Sequence, residues 1–222
     1  FKDVGNPPAE DLPDTPPNTG GSDSSFFIMA DGSLRFCGKN TSYHGGIGDV
    51  KGDVVIIPRP CAFSPALRPG EKVIKFYQQF TCSYAITNVG NLYGAGTNNQ
   101  YQLGLNHTND APVFTRIIKT VTDTLDGAVA LGGDKVEEIS TGSGAGCAGI
   151  TVFARTSAGK LYVWGFNGGS AGGGPVLERA GIGNTVDDYI KIPTYVSPTT
   201  FQEPIIRITG AGRSQNQVHV AL

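Results

Sequence analysis

Gly159-Lys160-Leu161-Tyr162-Val163-Trp164-Gly165-Phe166-Asn167 is the stretch on which the fold turns, because two other segments align with it without a gap. They are Gly32-Ser33-Leu34-Arg35-Phe36-Cys37-Gly38-Lys39-Asn40 and Gly90-Asn91-Leu92-Tyr93-Gly94-Ala95-Gly96-Thr97-Asn98, and the shared pattern is G-x-L-x-x-x-G-x-N. Each copy follows a strand-like run, at residues 26–30, 84–87 and 152–156. The first glycine therefore sits where a hairpin must turn, a place where positive φ is cheap only without a Cβ. Leucine opens the return strand. The second glycine lets a neighbouring backbone approach closely, and the asparagine ends the strand by bonding its amide to the local main chain. Three antiparallel hairpins are predicted.

Working outward, the copies start 58 and 69 residues apart, the second spacing stretched by inserted material. A propeller blade of four short strands takes roughly 40 to 50 residues or somewhat more, so the period suits one blade. Short β-type runs also recur before each hairpin, at 73–76, 136–140 and 205–209. Residues 218–222 match the strand that precedes a hairpin, with no G-x-L segment after it. The predicted fold class is all-β, a partial β-propeller of about three blades plus a truncated fourth repeat.

Composition agrees. The 222 residues include 32 glycines, and only 16% are charged, too few for long surface helices built on Glu, Lys and Arg. Lys plus Arg is 17 against 19 Asp plus Glu, a net charge of −2, so no basic excess exists to neutralise a phosphate backbone and no nucleic acid is expected as partner. No apolar run reaches the length of a membrane span, so no membrane insertion is expected. Phe1 opens the chain, and Met29 is the single methionine, which predicts a processed product or a piece of a longer polypeptide. Residues 1–25 hold five of the 14 prolines with several acids and little apolar content, the mark of a Pro-rich linker or surface strap. The propeller repeats are assigned to 26–222.

The copies at 159–167 and 90–98, the latter followed by Asn99-Gln100-Tyr101-Gln102-Leu103-Gly104 and then Pro112, resemble the repeats of the regulator of chromosome condensation family. That family's pattern runs roughly G-x-(V/L)-(Y/W)-x-W-G-x-N-x-x-G-Q-L-G. Here Trp164 alone keeps the tryptophan, Cys37 and Ala95 stand at its place, Tyr101 replaces a glycine, and Cys82-Ser83 stands for a His-Ser pair. The resemblance implies a propeller that usually closes with seven blades. The remaining blades then lie outside the chain, come from another chain, or residues 218–222 pair with the hairpin at 26–36.

Chemistry-bearing motifs are sparse. Cys37, Cys61, Cys82 and Cys147 show no C-x-x-C spacing, so no metal is expected and free thiols inside the sheets are. His44, His107 and His219 lie far apart, and no G-x-S-x-G marks a nucleophile, so no catalytic residues are assigned and the histidines of polar loops are expected to be solvated. Gly144 to Gly149 satisfies G-x-G-x-x-G, but the β-branched Ile150-Thr151-Val152 that follows is no helix; cofactors are expected to be none. Asn40-Thr41-Ser42 and Asn106-His107-Thr108 are formal glycosylation triplets of chance frequency, and Asp49, Asp53, Asp187 and Asp188 form no calcium loop. Glu137-Glu138 and Asp187-Asp188 are adjacent pairs, and neighbours on a strand face opposite sides, which argues against joint catalysis.

The loops after the hairpins carry the candidate binding residues, Tyr43, His44, Asn98, Asn99, Tyr101, Asn106, His107, Asn109, Phe166 and Asn167. Aromatics with amides in such loops suit sugars or a protein partner. The expected function is a structural and receptor-binding module of a virion, such as a phage tail or fibre, or of an extracellular surface protein. It would bind a host glycan or protein through blade loops, and the weakly charged Gly/Asn/Thr-rich composition and Pro-rich strap favour that reading. The alternative is an intracellular, cytoplasmic scaffold or a guanine nucleotide exchange factor for a small GTPase, as the family's eukaryotic prototype implies. Partners are expected to be other chains that complete the propeller, with a homo-oligomer or larger complex as the assembly.

Overall fold

The computed structural model describes residues 23–48, 51–79, 81–121, 126–142, 150–167, 188–196, 203–210 and 218–221, and the regular elements among them are all strands. Strands β1 (Ser24–Ile28), β2 (Leu34–Lys39) and β3 (Val54–Pro60) form an antiparallel sheet in that order. Next come β4 (Phe63–Ser64), β5 (Val73–Gln78), β6 (Cys82–Thr87), β7 (Leu92–Gly96), β8 (Ala111–Lys119) and β9 (Val129–Ala130). Of these, β5 to β8 form an antiparallel meander, while β4 and β9 pair in parallel with β8. A third meander contains β10 (Val136–Gly142), β11 (Thr151–Thr156), β12 (Leu161–Phe166) and β13 (Tyr189–Tyr195). β14 (Arg207–Gly210) pairs with β15 (Val218–Ala221) as the start of a fourth sheet.

The repeat seen in sequence is the middle of each sheet. Ile28 pairs with Leu34, Ile86 with Leu92, and Arg155 with Leu161, closing the three predicted hairpins at their glycines. Those turns do a second task. The carbonyls of Gly32, Gly90 and Gly159 accept the main-chain N–H of Val73, Val136 and Ile205, each at the start of the next sheet, at 3.0, 3.0 and 3.1 Å. The turn glycines have φ of 84°, 84° and 72°, and a Cβ on Gly90 would lie 2.4 Å from the Cβ of Lys135. Positive φ and close approach of the next blade together exclude any side chain.

The closing glycines are equally constrained. A Cβ on Gly38, Gly96 or Gly165 would fall 2.3, 2.2 or 2.4 Å from the carbonyl oxygen of Asp23, Thr81 or Ile150. Each of these carbonyls lies just before the strand that pairs with the glycine's own.

Successive sheets stack face to face. Leu34, Val73, Ala85, Tyr93, Ala95 and Phe114 form the core between the first and second blades, with Phe26 stacked on Phe76 at 4.0 Å. A larger core, with Tyr84, Leu103, Ile117, Val152 and Trp164, joins the second blade to the third and reaches Ile208 of β14. Strand β10 lies against β14, and Glu138 Oε2 accepts both Arg155 Nε and the main-chain N–H of Ile208, at 3.1 Å each.

Several expectations need correction. The first strand begins at Ser24, so Ser24 and Ser25 of the presumed linker belong to the sheet; residues 1–22 lie outside the described region. Among the described residues the C-terminal strand does not pair with the hairpin at 26–36: β15 pairs with β14, and β1 pairs with β2. Cys37, Cys61 and Cys82 are thiols rather than disulfide sulfurs, and only Cys82 is buried; Cys147, the Gly144 to Gly149 turn, Asp49 and Asp187 lie outside the described residues.

Candidate protein-binding face

The connections from β2 to β3 and from β7 to β8 leave the ends of their sheets opposite the glycine turns, so these two loops gather on one face; in the third blade the corresponding connection is described only at its ends, Asn167 and Asp188. The asparagine of the repeat starts each one. Asn40 Oδ1 accepts Gly45 N–H at 2.9 Å, and Asn98 Oδ1 accepts Leu103 N–H at 2.8 Å, the same five-residue closure in two blades. Asn98 Nδ2 also donates to the His107 carbonyl at 2.6 Å, fixing the far side of its loop. Asn40, Asn98 and Asn167 are all 0% exposed. Asn40 and Asn98 thus build their loops rather than face a partner. Phe166 is buried too.

His44 is a clear departure from the expected solvated loop residue. It is 0% exposed, its ring meets Phe36 edge-on with centroids 5.6 Å apart, and Nε2 lies 3.4 Å from Ser24 Oγ. Burial lowers its pKa to about 4, so the ring is neutral near pH 7.

The tyrosines one turn into each loop behave differently. Tyr43 and Tyr101 both take left-handed backbone, with φ of 62° and 58°, at the position where the repeat pattern favours glycine. A bulky residue there is strained, and strain of this kind collects where the side chain has a use. Each ring is half-buried and lies under an ammonium: Lys51 Nζ is 5.7 Å from the Tyr43 centroid, and Lys191 Nζ is 5.8 Å from that of Tyr101. Tyr101 also starts a row of rings, 5.7 Å from Tyr189, which is 5.6 Å from Phe166.

Contacts knit the loops into one surface. Lys51 in the first loop pairs with Asp110 of the second at 3.1 Å, and Asp110 Oδ1 accepts Asn98 N–H at 3.1 Å. Asn106, with φ of 61°, donates its main-chain N–H to the Lys191 carbonyl of the third blade at 3.0 Å. Asn99, Asn106, His107 and Asn109 are exposed beside them. Of ten residues singled out in sequence, Tyr43, Asn99, Tyr101, Asn106, His107 and Asn109 thus reach the face, while His44, Asn98, Phe166 and Asn167 support it. Sequence reasoning missed Lys51, Asp110, Tyr189 and Lys191. Their signal, a charge or aromatic flanking the fourth strand, gains meaning only once adjacent loops meet. Among the described residues no three His, Cys, Asp or Glu side chains group as a metal site.

No protein-family model matches the chain. It is 30% identical over 148 residues to the X-linked retinitis pigmentosa GTPase regulator of Mus musculus, a match spanning 66% of this chain and 12% of that protein. Among solved structures it is similar to Prp20p from Saccharomyces cerevisiae, described with its binding to Gsp1p and histones. The TM-score is 0.62 at 19% identity, over 87% of this chain and 41% of that one. It is also similar to yeast RCC1 (Prp20) bound to Kap60, with TM-score 0.59 at 19% identity, over 88% of this chain and 39% of that one. The chain thus spans less than half the length of the solved chains and about an eighth of the curated relative. The fold is a β-propeller, as in these solved structures.

Proposed function

We propose that this RCC1-like chain is a protein-binding propeller module whose ligand face is the row of loops carrying Tyr43, Asn99, Tyr101 and residues 106–109, and whose partner is a small GTPase or a complex containing one. The observation that carries the reading is the paired strain at Tyr43 and Tyr101, each with a lysine over its ring, repeated in adjacent blades on one surface. Rigid aromatic rings with flanking amides are what protein hot spots use, because they present area at little entropic cost. The intracellular scaffold or exchange-factor alternative gains support from the names of the similar proteins, a GTPase regulator and a protein studied for binding Gsp1p. The virion and host-glycan reading draws no support from them.

The test is direct. The chain is titrated against Gsp1p loaded with a fluorescent GDP analogue, following anisotropy for binding and fluorescence for nucleotide release. Saturable binding with faster release supports exchange activity, and binding with unchanged release supports a scaffold. No binding by the intact chain, with Tyr43→Ala/Tyr101→Ala equally silent, removes the GTPase reading.

A further inference from the structure

In the first and third blades the asparagine of the repeat is closed by main chain: Asn40 N–H donates to the Asp53 carbonyl at 2.8 Å, and Asn167 N–H to the Asp188 carbonyl at 2.7 Å. The second blade departs from this. There Asn98 N–H donates at 3.1 Å to Oδ1 of Asp110, a carboxylate in place of a peptide oxygen. Val54 and Tyr189 stand at the position of Asp110 in the other two blades, each just before the residue that pairs with the second glycine of the repeat. A blade therefore closes without an acid at this position, and what the acid adds lies elsewhere.

The second oxygen of Asp110 shows where. Its Oδ2 pairs at 3.1 Å with Lys51 Nζ, which lies 5.7 Å from the centroid of the Tyr43 ring. Asn98, held by the first oxygen, closes the loop around Tyr101. The Asn98 carbonyl accepts Tyr101 N–H at 3.1 Å, its side-chain oxygen accepts Leu103 N–H at 2.8 Å, and its Nδ2 donates to the His107 carbonyl at 2.6 Å. One carboxylate thus stands between the two strained tyrosines, with one oxygen committed to each loop. Lys51 and Asp110 keep 47% and 26% of their side-chain surface exposed, so the ion pair is a modest one.

We propose that Asp110 is a positioning residue of the loop face, coupling Tyr43 to Tyr101 so that a partner meets the two rings as one unit. Without the carboxylate, Lys51 is free to leave the Tyr43 ring. Without the ammonium, Asp110 is free to turn away from Asn98 N–H, and the loop that carries Tyr101 loses its anchor. Removing one ring therefore loosens the seat of the other. The role of Asp110 in binding rests on the proposed ligand face, whereas the link between the loops belongs to the free chain and is read there without a partner.

Hydrogen exchange of the intact chain, followed by NMR, reads the link first. Lys51→Met removes the charge but keeps an unbranched stem, and should speed exchange of the Asn98 amide about two- to fivefold, the reach of a half-exposed ion pair, with the Asn167 amide of the third blade unchanged. An unchanged Asn98 amide overturns the proposal. Anisotropy titration with Gsp1p carrying the fluorescent GDP analogue then reads the coupling. In the parent chain, Tyr43→Ala/Tyr101→Ala should lose less affinity than the product of the two single losses, by about threefold or more, as for residues that share a network. Asp110→Asn keeps an oxygen for Asn98 N–H but no charge for Lys51, so in that background, and in Lys51→Met, the single losses should simply multiply. Lys51→Arg should retain the shortfall. A merely structural Asp110 would move the unfolding midpoint and leave the coupling in place. Losses that multiply in the parent, or a shortfall that survives both variants, would overturn the role of Asp110 and leave the GTPase reading intact. A parent chain that does not bind Gsp1p removes the GTPase reading, and the exchange result alone then decides the link.

Discussion

The indole N–H of Trp164 donates to the main-chain carbonyl of Gln102 at 2.9 Å, across the junction of the second and third blades. The same carbonyl accepts Tyr84 Oη at 2.7 Å, so one oxygen in the second loop receives a donor from its own blade and one from the next. Both rings are fully buried. In the first junction Ala95 stands where the indole would be, and Phe114 of β8 fills the gap. A Cβ on Gly46 would meet the Phe114 ring at 2.4 Å, as one on Gly104 would meet Trp164 Cδ1 at 2.9 Å.

Trp164→Phe should therefore lower stability by about 1–3 kcal/mol, since the Gln102 carbonyl keeps Tyr84 but the junction loses a bond and volume. Trp164→Ala should cost about 3–5 kcal/mol. Urea unfolding followed by far-UV circular dichroism separates the two, and equal losses would show that the ring volume adds nothing beyond the lost indole N–H bond.

Gly96→Ala should destabilise by about 2–5 kcal/mol, because φ is 115° and the new Cβ would sit 2.2 Å from the Thr81 carbonyl oxygen. Exposed Gly127 has open space around its Cβ position, and Gly127→Ala should stay within about 0.5 kcal/mol of the parent. Thermal midpoints of the two variants side by side check the contrast.

His44 makes stability fall in mild acid. Its pKa is lowered by burial to about 4, below the ordinary 6.5 of the unfolded chain, so between those values the unfolded state binds the extra proton. The stability it contributes is fully present above pH 6.5 and is lost as pH falls through about 4, a change of the order of 3 kcal/mol. His44→Gln should flatten that part of the stability profile between pH 7 and 4. An unaltered profile would show that the imidazole does not remain neutral in the fold.

Asp126 serves two buried cations at once, Arg116 Nε at 2.5 Å and Lys119 Nζ at 3.1 Å. Burial pushes its carboxyl pKa up, but hydrogen bonds from Arg116 and Lys119 outweigh that and hold it below the ordinary range. Asp126→Asn should cost about 3–5 kcal/mol, as removing one member of a buried ionic group leaves the others uncompensated. Denaturant titration at pH 7 reads it.

On the loop face, Tyr101→Gly relieves left-handed strain while removing the ring beside Tyr189 and Lys191. Stability should change by no more than about 1 kcal/mol, because relief and lost contact oppose one another. Partner binding should drop at least about tenfold, the loss of one hot-spot ring. Parallel unfolding and anisotropy titrations distinguish this from a merely structural tyrosine, whose loss would move the first measurement and not the second.

The G-x-L-x-x-x-G-x-N repeat by itself determined the hairpins, their register and the blade spacing. Those features depend on local backbone freedom at glycine and on alternation along a strand, which neighbours in sequence settle. The repeat also located the loops of the proposed binding face, though not which of their residues reach solvent. Asn98 and His44 look like ligands in a polar loop, yet the first closes its own loop and the second is buried against Phe36. Only the tertiary structure decided that Phe114 replaces an absent indole and that Lys51 and Lys191 cover the strained tyrosines. Each of these arises where two blades or two loops meet, between residues distant in the chain, and burial and electrostatics act on that proximity whatever the separation in sequence.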